Sequence, residues 1–208
     1  MRLRKVKNAQ ENLEKSRYYI SNPVSNVGNW HEYFQNNHPI HLEIGTGKGQ
    51  FLIGMAKLHP EINFIGMEKY DSVLVRAIEK AEKEELSNLR FLCMDAKGLQ
   101  DVFQKEISTL YLNFSDPWPK ERHKKRRLTH QDFLKLYETI FIDKKTIIQK
   151  TDNKGLFAFS LEEFSKFGYT LEKVSLDLAN EVIENVQTEY EEKFSKEGYT
   201  INYVKAVK

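Results

Sequence analysis

The sequence is poor in cysteine and has no long apolar segment. Its single cysteine, Cys93, excludes an internal disulfide, and its place within LRFLCM is typical of a small buried side chain rather than a nucleophile. The apolar runs are all much shorter than the roughly 20 residues of a membrane-spanning helix. The N-terminal stretch MRLRKVKNAQENLEK lacks the apolar centre of a secretion signal, so we expect a cytoplasmic protein without a membrane partner.

Metal-ligand patterns and a strong net charge are also absent. The six histidines are scattered and none has an acidic, thiol or second histidine partner at metal-ligand spacing, so we expect no metal. The net charge is only +2, so any attraction to nucleic acid must be local. A chain of 208 residues with 40% hydrophobic content suits one domain with a substantial core. We expect that domain to fill residues 1–208, with the basic and polar residues 1–20 as a loosely held, flexible arm.

Short apolar runs alternate with longer amphipathic stretches along the chain. The runs predict strands at 40–44, 62–67, 89–94, 108–114, 145–150, 170–176 and 199–207. Apolar residues at helical spacing predict helices at 50–58, 72–85 and 131–140 that cross between successive strands. This alternation is typical of an α/β fold with a mostly parallel sheet and helices on both faces. The last two strands are expected to finish the sheet as an antiparallel edge.

The stretch PIHLEIGTGKGQF leads from an apolar strand through a glycine-rich loop into a predicted helix. A Walker A loop would need glycine and then Ser or Thr at the positions of Leu42 and Gly49. A dinucleotide-binding loop that starts at Gly45 would need glycine in place of Gln50. Phosphate-rich ligands are therefore disfavoured. Two interpretations stay open, a different nucleotide-like ligand at the end of the strand or a turn that binds nothing.

Acidic residues stand at the carboxyl ends of four predicted strands: Glu43, Glu68, Asp95 and Asp116. In open α/β sheets ligands bind beyond these ends, near the point where the strand order reverses. An acid after the second strand suits a ribose diol, and an acid after the third suits the exocyclic amine of adenine. Glu43 is a poor neighbour for pyrophosphate but suits the positively charged amino group of S-adenosylmethionine. Each acid alone could be a helix cap or a solvated turn, but together they predict a pocket for S-adenosylmethionine.

The segment SDPWPKERHKKRR joins an acid and an aromatic residue to a run of positive charge. Two prolines restrict the backbone around Trp118, so its ring and the Asp116 carboxylate are expected at the rim of the sheet. Six of the eight residues from Lys120 to Arg127 are Lys or Arg. An aromatic face beside local positive charge suits a nucleic acid whose base stacks while its phosphates are bound. A solvated loop or a docking patch for a protein is the alternative.

With these motifs the chain resembles the bacterial tRNA (guanine-N(7)-)-methyltransferases, which have the Rossmann-like class I S-adenosylmethionine-dependent methyltransferase fold. The resemblance covers essentially the whole chain and rests on LEIGTGKGQF, GME, MDA, NFSDPWPK, RHKKRRL, TDN and TEYE. NFSDPWPK followed by RHKKRRL is highly specific, whereas the glycine loop alone is not. The resemblance implies methyl transfer from S-adenosylmethionine to N7 of a guanine in tRNA, usually in the variable loop, to form 7-methylguanosine.

The resemblance also implies a role for each matching residue. The cofactor-binding residues would be Glu43, Gly45, Gly47, Glu68, Asp95 and Asp116, and Asp116 would in addition be catalytic. The residues that contact tRNA would be Lys120, Arg122, His123, Lys124, Lys125, Arg126, Arg127, Asp152, Thr188, Glu189, Tyr190 and Glu191. A monomer and a homodimer both stay open.

The implied reaction constrains the role of Asp116. Guanine N7 holds a lone pair in the plane of the base, so it attacks the sulfonium methyl without losing a proton, and the product base is cationic. Asp116 is therefore expected to orient the guanine and stabilise its growing charge. Two other functions stay open: a small-molecule methyltransferase, which leaves the basic run unused, and a non-catalytic RNA-binding module, which leaves the four acids unexplained. A nicotinamide oxidoreductase is disfavoured by the glycine spacing.

Overall fold

The structure is a computed structural model that describes residues 6–208 of the chain. Over these residues seven strands form one sheet: β1 (Ile40–Ile44), β2 (Asn63–Glu68), β3 (Leu89–Cys93), β4 (Ile107–Asn113), β5 (Phe141–Thr151), β6 (Thr170–Ser175) and β7 (Asn202–Val207). The α-helices of this part of the chain are α1 (Ala9–Glu14), α2 (Trp30–Phe34), α3 (Gln50–Leu58), α4 (Asp71–Ala81), α5 (Gln131–Ile140), α6 (Lys154–Lys166) and α7 (Glu189–Lys196). Short 3₁₀ helices lie in the connections at Pro23–Asn26, Ala96–Asp101, Glu121–Arg126 and Leu178–Asn180. None of the helices within residues 6–208 has both the length and the apolar character needed to cross a bilayer.

The strand order of the sheet places a crevice between β1 and β4. The order is β3-β2-β1-β4-β5-β7-β6, and neighbours from β3 to β5 are parallel. Leu42 of β1 lies opposite Ile65 of β2 on one side and Leu110 of β4 on the other. The chain leaves β1 in one direction and β4 in the other, and such a reversal opens a crevice at the carboxyl ends of the strands. Any ligand of this sheet is therefore expected at that rim.

β7 is antiparallel to both of its neighbours. Val204 of β7 lies opposite Gln149 of β5 and Val174 of β6. The predicted antiparallel edge is confirmed, with β7 one place inside the sheet and β6 at its outer side. β6 exposes Glu172 and Lys173, and charged side chains of this kind keep an edge strand from pairing with other chains.

Helices cover both faces of the sheet and bury its apolar strands. One face packs against α1, α3 and α4, and there Phe64 and Phe91 are fully buried. The opposite face packs against α2, α5 and α6, where Trp30 and Leu110 are fully buried. Each such side chain contributes about 1.5–3 kcal/mol when it leaves water completely. Burial on both faces explains why the strands are continuous apolar runs rather than alternating ones.

The N-terminal segment is packed, contrary to the expectation of a loosely held arm. Leu13 of α1 and Tyr18 are fully buried, and α1 packs against α4. The backbone of Phe91 donates to the carbonyl of Tyr18 at 2.7 Å and accepts from the N–H of Ile20 at 3.1 Å, so the segment extends the sheet beside β3. The prediction is therefore wrong for residues 6–20, because the apolar side chains among the polar ones reach the core. Residues 1–5 lie outside the described part of the chain.

Candidate active site

The glycine loop between β1 and α3 turns sharply at the rim of the sheet. The N–H groups of Gly45 and Thr46 both donate to the carbonyl of Met67, at 2.8 and 3.0 Å. Gly45, Gly47 and Gly49 have φ of 80°, 59° and 78°, values that favour glycine. A side chain at Gly49 would come within 2.8 Å of the Ala77 Cβ, whereas open space stands over Gly45, and a Cβ at Gly47 would meet only the Gly45 carbonyl oxygen, at 4.0 Å. The loop thus packs tightly at its helix end and leaves room for a ligand at its strand end.

Glu43 lies beneath this loop, at the end of β1. Its carboxylate is 2% exposed and accepts hydrogen bonds from Thr46 Oγ1 and Asn113 Nδ2, both at 2.7 Å. Burial raises the pKa of Glu43 to about 7, although both hydrogen bonds oppose the rise. Glu43 therefore ties β1, the loop and β4 together and holds a carboxyl group that is poised to titrate near neutral pH.

Glu68 ends β2 and faces the opposite side of the same loop. Its carboxylate accepts from the N–H groups of Gly47 at 3.2 Å and Tyr70 at 3.0 Å. Burial raises the pKa of Glu68, and the negative charge of Asp116 raises it further. The charge of Asp116, after β4, therefore acts on the carboxyl group that ends β2.

Asp95 follows β3 and lies at a more exposed position. It caps the 3₁₀ helix Ala96–Asp101 by accepting from the N–H of Lys97 at 3.0 Å, and it pairs with Lys69 at 2.7 Å. The hydrogen bond from Lys69 has the largest effect and lowers the pKa of Asp95. Burial raises this pKa, and the hydrogen bond from the N–H of Lys97 lowers it. Asp95 remains a charged acceptor at the rim, 41% exposed at its side chain.

Asp116 is exposed on a sharp corner that follows β4. Phe114 and Trp118 on either side of it have φ of 50° and 41°, in the left-handed region that non-glycine residues rarely adopt. The N–H of Phe114 donates to the carbonyl of Lys150 at 2.8 Å, which fixes the start of the corner against β5. Backbone conformations of this kind persist where surrounding contacts enforce them, and they cluster at functional sites. We name residues 114–119 the Asp116 corner.

The basic segment, residues 120–127, continues directly from the Asp116 corner. Its central part is the 3₁₀ helix Glu121–Arg126, and it exposes Lys120, Arg122, Lys124, Lys125 and Arg126. The Arg126 guanidinium lies 4.7 Å from the Trp118 ring centre, and the His123 ring contacts the same indole edge-on at 5.8 Å. The indole is thus held beside Asp116 by two cationic or polar side chains.

Arg127 differs from the rest of the basic segment because it is 9% exposed. Its guanidinium donates to the carbonyls of Pro117 and Trp118 and stacks on Phe159. The prediction that Arg127 contacts tRNA is therefore not supported by its position, since the side chain is buried and two of its donors bond to backbone carbonyls.

The segment from Thr188 to Glu191 reaches the Asp116 corner through one side chain. Tyr190 is 42% exposed, and its ring centre is 4.9 Å from that of Phe114. Burial raises the pKa of Tyr190, and the charge of Asp152 and a hydrogen bond to it raise it further. Tyr190 therefore contacts the start of the Asp116 corner and interacts with Asp152, and the prediction that both residues contact tRNA stays a prediction.

The other members of this segment have structural partners. Thr188 Oγ1 caps α7 by accepting from the N–H of Glu191 at 2.9 Å, and Glu189 pairs with Lys80. Glu191 is 2% exposed and pairs with Lys150, which is equally buried. The prediction that Glu191 contacts tRNA conflicts with this burial, because the carboxylate is enclosed within the protein.

Lys150 is a site residue that the sequence analysis missed. Its Nζ donates to Glu191 at 2.7 Å, to the carbonyl of Val186 at 3.0 Å and to Asn185 Oδ1 at 3.1 Å. Burial lowers the pKa of Lys150, and Glu191 opposes that effect. The signal in the sequence is a lysine two residues after the apolar pair of a buried strand, KTIIQK.

The described part of the structure contains no cluster of side chains suited to bind a metal ion. Within residues 6–208, no group of three or more His, Cys, Asp or Glu side chains is arranged to hold a metal ion. Glu43, Glu68 and Asp95 instead accept hydrogen bonds from neighbouring backbone N–H groups and side chains.

This chain is similar to known proteins in both sequence and fold. Residues 37–204 match the family described as "Putative methyltransferase". A tRNA (guanine-N(7)-)-methyltransferase from Halalkalibacterium halodurans is 56% identical, over 88% of this chain and 84% of the relative. One from Listeria monocytogenes is 52% identical, over 99% of this chain and 98% of the relative. The chain belongs to the tRNA (guanine-N(7)-)-methyltransferase family.

Solved structures place the family in the class I methyltransferase fold, as the sequence predicts. The 16S rRNA methyltransferase KamB gives a TM-score of 0.65 at 12% identity, over 86% of this chain and 92% of KamB. The 16S rRNA (adenine(1408)-N(1))-methyltransferase from Catenulisporales acidiphilia, solved with its cosubstrate S-adenosylmethionine, gives 0.59 at 15% identity, over 86% and 90%. At such low identity these structures show the fold alone.

Proposed function

We propose that this protein transfers a methyl group from S-adenosylmethionine to N7 of a guanine in tRNA, with the variable-loop guanine as its target. The observation that carries the proposal is the position of Asp116. It lies on a strained corner after β4, its charge reaches the buried Glu68 across the rim, and the exposed cations of the basic segment follow directly. A single rim of the sheet thus offers acids for a cationic cofactor and cations for a nucleic acid.

The residues of the glycine loop and its flanking strands fit the cofactor. When bound, S-adenosylmethionine supplies an electrophilic methyl group on a positively charged sulfur. Open space over Gly45 leaves room for it. Glu68 at the end of β2 suits the ribose hydroxyls, and Asp95 suits the adenine amine. Glu43 favours the positively charged amino acid end through its charge, because its buried carboxyl group lies directly beneath the loop.

The chemistry at guanine assigns a charge-stabilising role to Asp116. N7 needs no general base, because its lone pair is free in the plane of the base. The carboxylate of Asp116 orients the guanine and stabilises the positive charge that grows on it during transfer. The backbone of the Asp116 corner holds this group in place before substrate arrives, so little reorganisation is needed during the reaction.

Cations next to the corner suit the phosphates of tRNA. Lys120, Arg122, Lys124 and Arg126 are exposed, with His123 partly so. A groove of about 530 Å³ continues from Lys125 over α5, with Lys97 and Lys135 among its lining residues. Local charge of this kind binds a phosphate backbone although the whole chain carries only +2. We assign the basic segment, without Arg127, to phosphate binding.

Asp152 and Tyr190 suit the base rather than the backbone of the substrate. The Tyr190 ring contacts that of Phe114 at the start of the Asp116 corner, and the charge of Asp152 acts on the Tyr190 hydroxyl. A carboxylate accepts from the amine edge of guanine, and an exposed tyrosine ring offers a stacking face. Thr188, Glu189 and Glu191 act indirectly, because they cap and fasten the helix that carries Tyr190.

The test is methyl transfer from labelled S-adenosylmethionine to unmodified bulk tRNA, followed by identification of the methylated nucleoside. We expect label in 7-methylguanosine at the variable loop. A matched tRNA that carries 7-deazaguanosine at the target position lacks the acceptor nitrogen and should receive no label. Labelling of small molecules but not of tRNA would support a small-molecule methyltransferase. Binding of tRNA without transfer would support an RNA-binding module. The cytoplasmic location and the choice between monomer and homodimer stay predictions.

A further inference from the structure

We propose that Arg127 is a positioning residue that holds the Asp116 corner in its reactive shape. It would then differ in role from the exposed cations that precede it in the basic segment. The proposal rests on the methyl-transfer function proposed above, because the corner matters only if Asp116 faces the reacting base.

The first observation is where the donors of Arg127 point. Nε donates to the carbonyl of Pro117 at 3.2 Å and Nη2 to the carbonyl of Trp118 at 3.1 Å. The side chain is 9% exposed, whereas the neighbouring Arg126 is exposed. A guanidinium with two donors on the corner and little contact with water is poorly placed to receive a phosphate.

The second observation is the support behind the guanidinium. Its central carbon lies 4.4 Å from the ring centre of Phe159, on α6. The plane of the guanidinium is therefore fixed by an aromatic face on one side and by two carbonyls at its edge. Arginine can make this arrangement because its donors form a rigid planar fork, and lysine cannot reproduce it with one ammonium group.

The third observation is the strain of the corner itself. Trp118 has φ of 41° and Phe114 has φ of 50°, and neither is a glycine. Such conformations need surrounding contacts to maintain them. Arg127 binds the carbonyls of Pro117 and Trp118, the two residues that directly follow Asp116, so it restrains the backbone next to the residue that carries the carboxylate. Without these hydrogen bonds the corner would relax and the carboxylate would move.

The decisive variant is Arg127→Lys, which keeps the positive charge but removes the fork. We expect the single-turnover rate at saturating S-adenosylmethionine and tRNA to fall about 10- to 100-fold, as small misplacements of a catalytic group can cause. The dependence of tRNA affinity on salt should keep its wild-type slope. Trp30 is fully buried, so acrylamide quenching reports mainly on Trp118, the other tryptophan, and should increase.

Two matched variants separate positioning from phosphate binding. Arg122→Ala removes an exposed cation of the same segment, and we expect a weaker tRNA affinity and a log–log salt slope reduced by about 0.7–0.9, with unchanged quenching. Arg76→Lys makes the same substitution at an exposed position on α4, where Arg76 pairs with Glu79, and should leave rate, slope and quenching as in the wild type.

A normal saturated rate in Arg127→Lys would overturn the proposal, with or without a reduced salt slope. If Arg127→Lys does not fold, Phe159→Leu provides a second test because it removes the stacking face. It should lower the saturated rate and raise the quenching, as expected for Arg127→Lys. Unchanged values there would equally overturn the proposal. The salt dependence of tRNA binding and the quenching of Trp118 can both be measured without turnover. An inactive wild-type enzyme would therefore contradict the proposed function, while the structural role of Arg127 could still be measured.

Discussion

Lys150 and Glu191 form an ion pair that is almost completely enclosed, with Nζ 2.7 Å from Oε2 and side-chain exposures of 3% and 2%. The pair joins β5, in the middle of the sheet, to α7, which follows a long loop. Lys150 also donates to the carbonyl of Val186 in that loop, so all three of its donors are used. The pair thus fastens the helix that carries Tyr190 against the sheet beside the Asp116 corner.

The first prediction is that removing one partner of this pair destabilises the fold. In Lys150→Met the carboxylate of Glu191 is left enclosed without its cation, and we expect the free energy of unfolding to fall by about 3–5 kcal/mol. Urea unfolding of both proteins measures the difference. The double variant Lys150→Met/Glu191→Leu should recover most of the loss, because it leaves no unpaired charge.

The exposed pair Lys166–Glu162 provides the control for this prediction. Its side chains are 54% and 61% exposed on one face of α6. Lys166→Met is expected to leave the free energy of unfolding nearly unchanged, since exposed pairs contribute little. Equal effects of Lys150→Met and Lys166→Met would show that burial does not make the first pair important.

The second prediction concerns Glu43 and pH. Burial raises its folded-state pKa from the ordinary 4.5 to about 7, so folding favours the protonated carboxyl group. Its contribution to stability is complete below about pH 4.5 and is lost as pH rises through about 7. The free energy of unfolding of the wild-type protein should therefore fall by roughly 3 kcal/mol relative to that of Glu43→Gln across this pH window. Unfolding curves measured from pH 4 to 8, in both proteins, test this; parallel curves would show that Glu43 does not titrate there.

The third prediction is that the exposed cations control the salt dependence of tRNA binding. Replacing Lys124, Lys125 and Arg126 together by alanine should weaken tRNA binding and reduce the log–log salt slope by about 0.7–0.9 for each phosphate that is no longer bound. The affinity for S-adenosylmethionine should change little, because the glycine loop is untouched. Filter binding across a salt series measures the slope, and a wild-type slope would assign this segment to another partner.

Much of the fold follows from local sequence pattern. The predicted helices at 50–58 and 131–140 agree with α3 and α5, and the predicted strand at 40–44 agrees with β1. In these regions the spacing of the apolar residues, with the glycines or acids that bound them, specifies the element within a few residues. The local sequence is therefore sufficient to predict it. The acids at the strand ends could be predicted for the same reason, because a parallel sheet brings those ends to one rim.

The burial of charged residues could not be predicted in this way. Glu191 stands in a glutamate-rich stretch that is typical of a solvated helix, and its partner Lys150 is 41 residues away. Arg127 ends a basic run, and only the fold brings Phe159 behind it. The N-terminal segment is similar, because Leu13 and Tyr18 find their contacts on α4 and β3. In each case tertiary contacts bury a residue that the local composition alone would place at the surface.

The fourth prediction tests the central claim that Asp116 stabilises the charge that grows on guanine. Asp116→Asn keeps the shape and part of the hydrogen bonding of the side chain but removes its negative charge. Because the charge of Asp116 acts on Glu68, which we propose binds the cofactor, affinities for S-adenosylmethionine and tRNA are measured in the same variant.

The direct measurement is the single-turnover rate of Asp116→Asn with both substrates saturating. Loss of one preorganised charged group costs about 2.7–4 kcal/mol in the transition state, so the rate should fall roughly 100- to 1,000-fold while tRNA affinity changes little. A near-normal saturated rate, with the whole defect in either binding constant, would contradict the account and make Asp116 a residue that only positions its ligands.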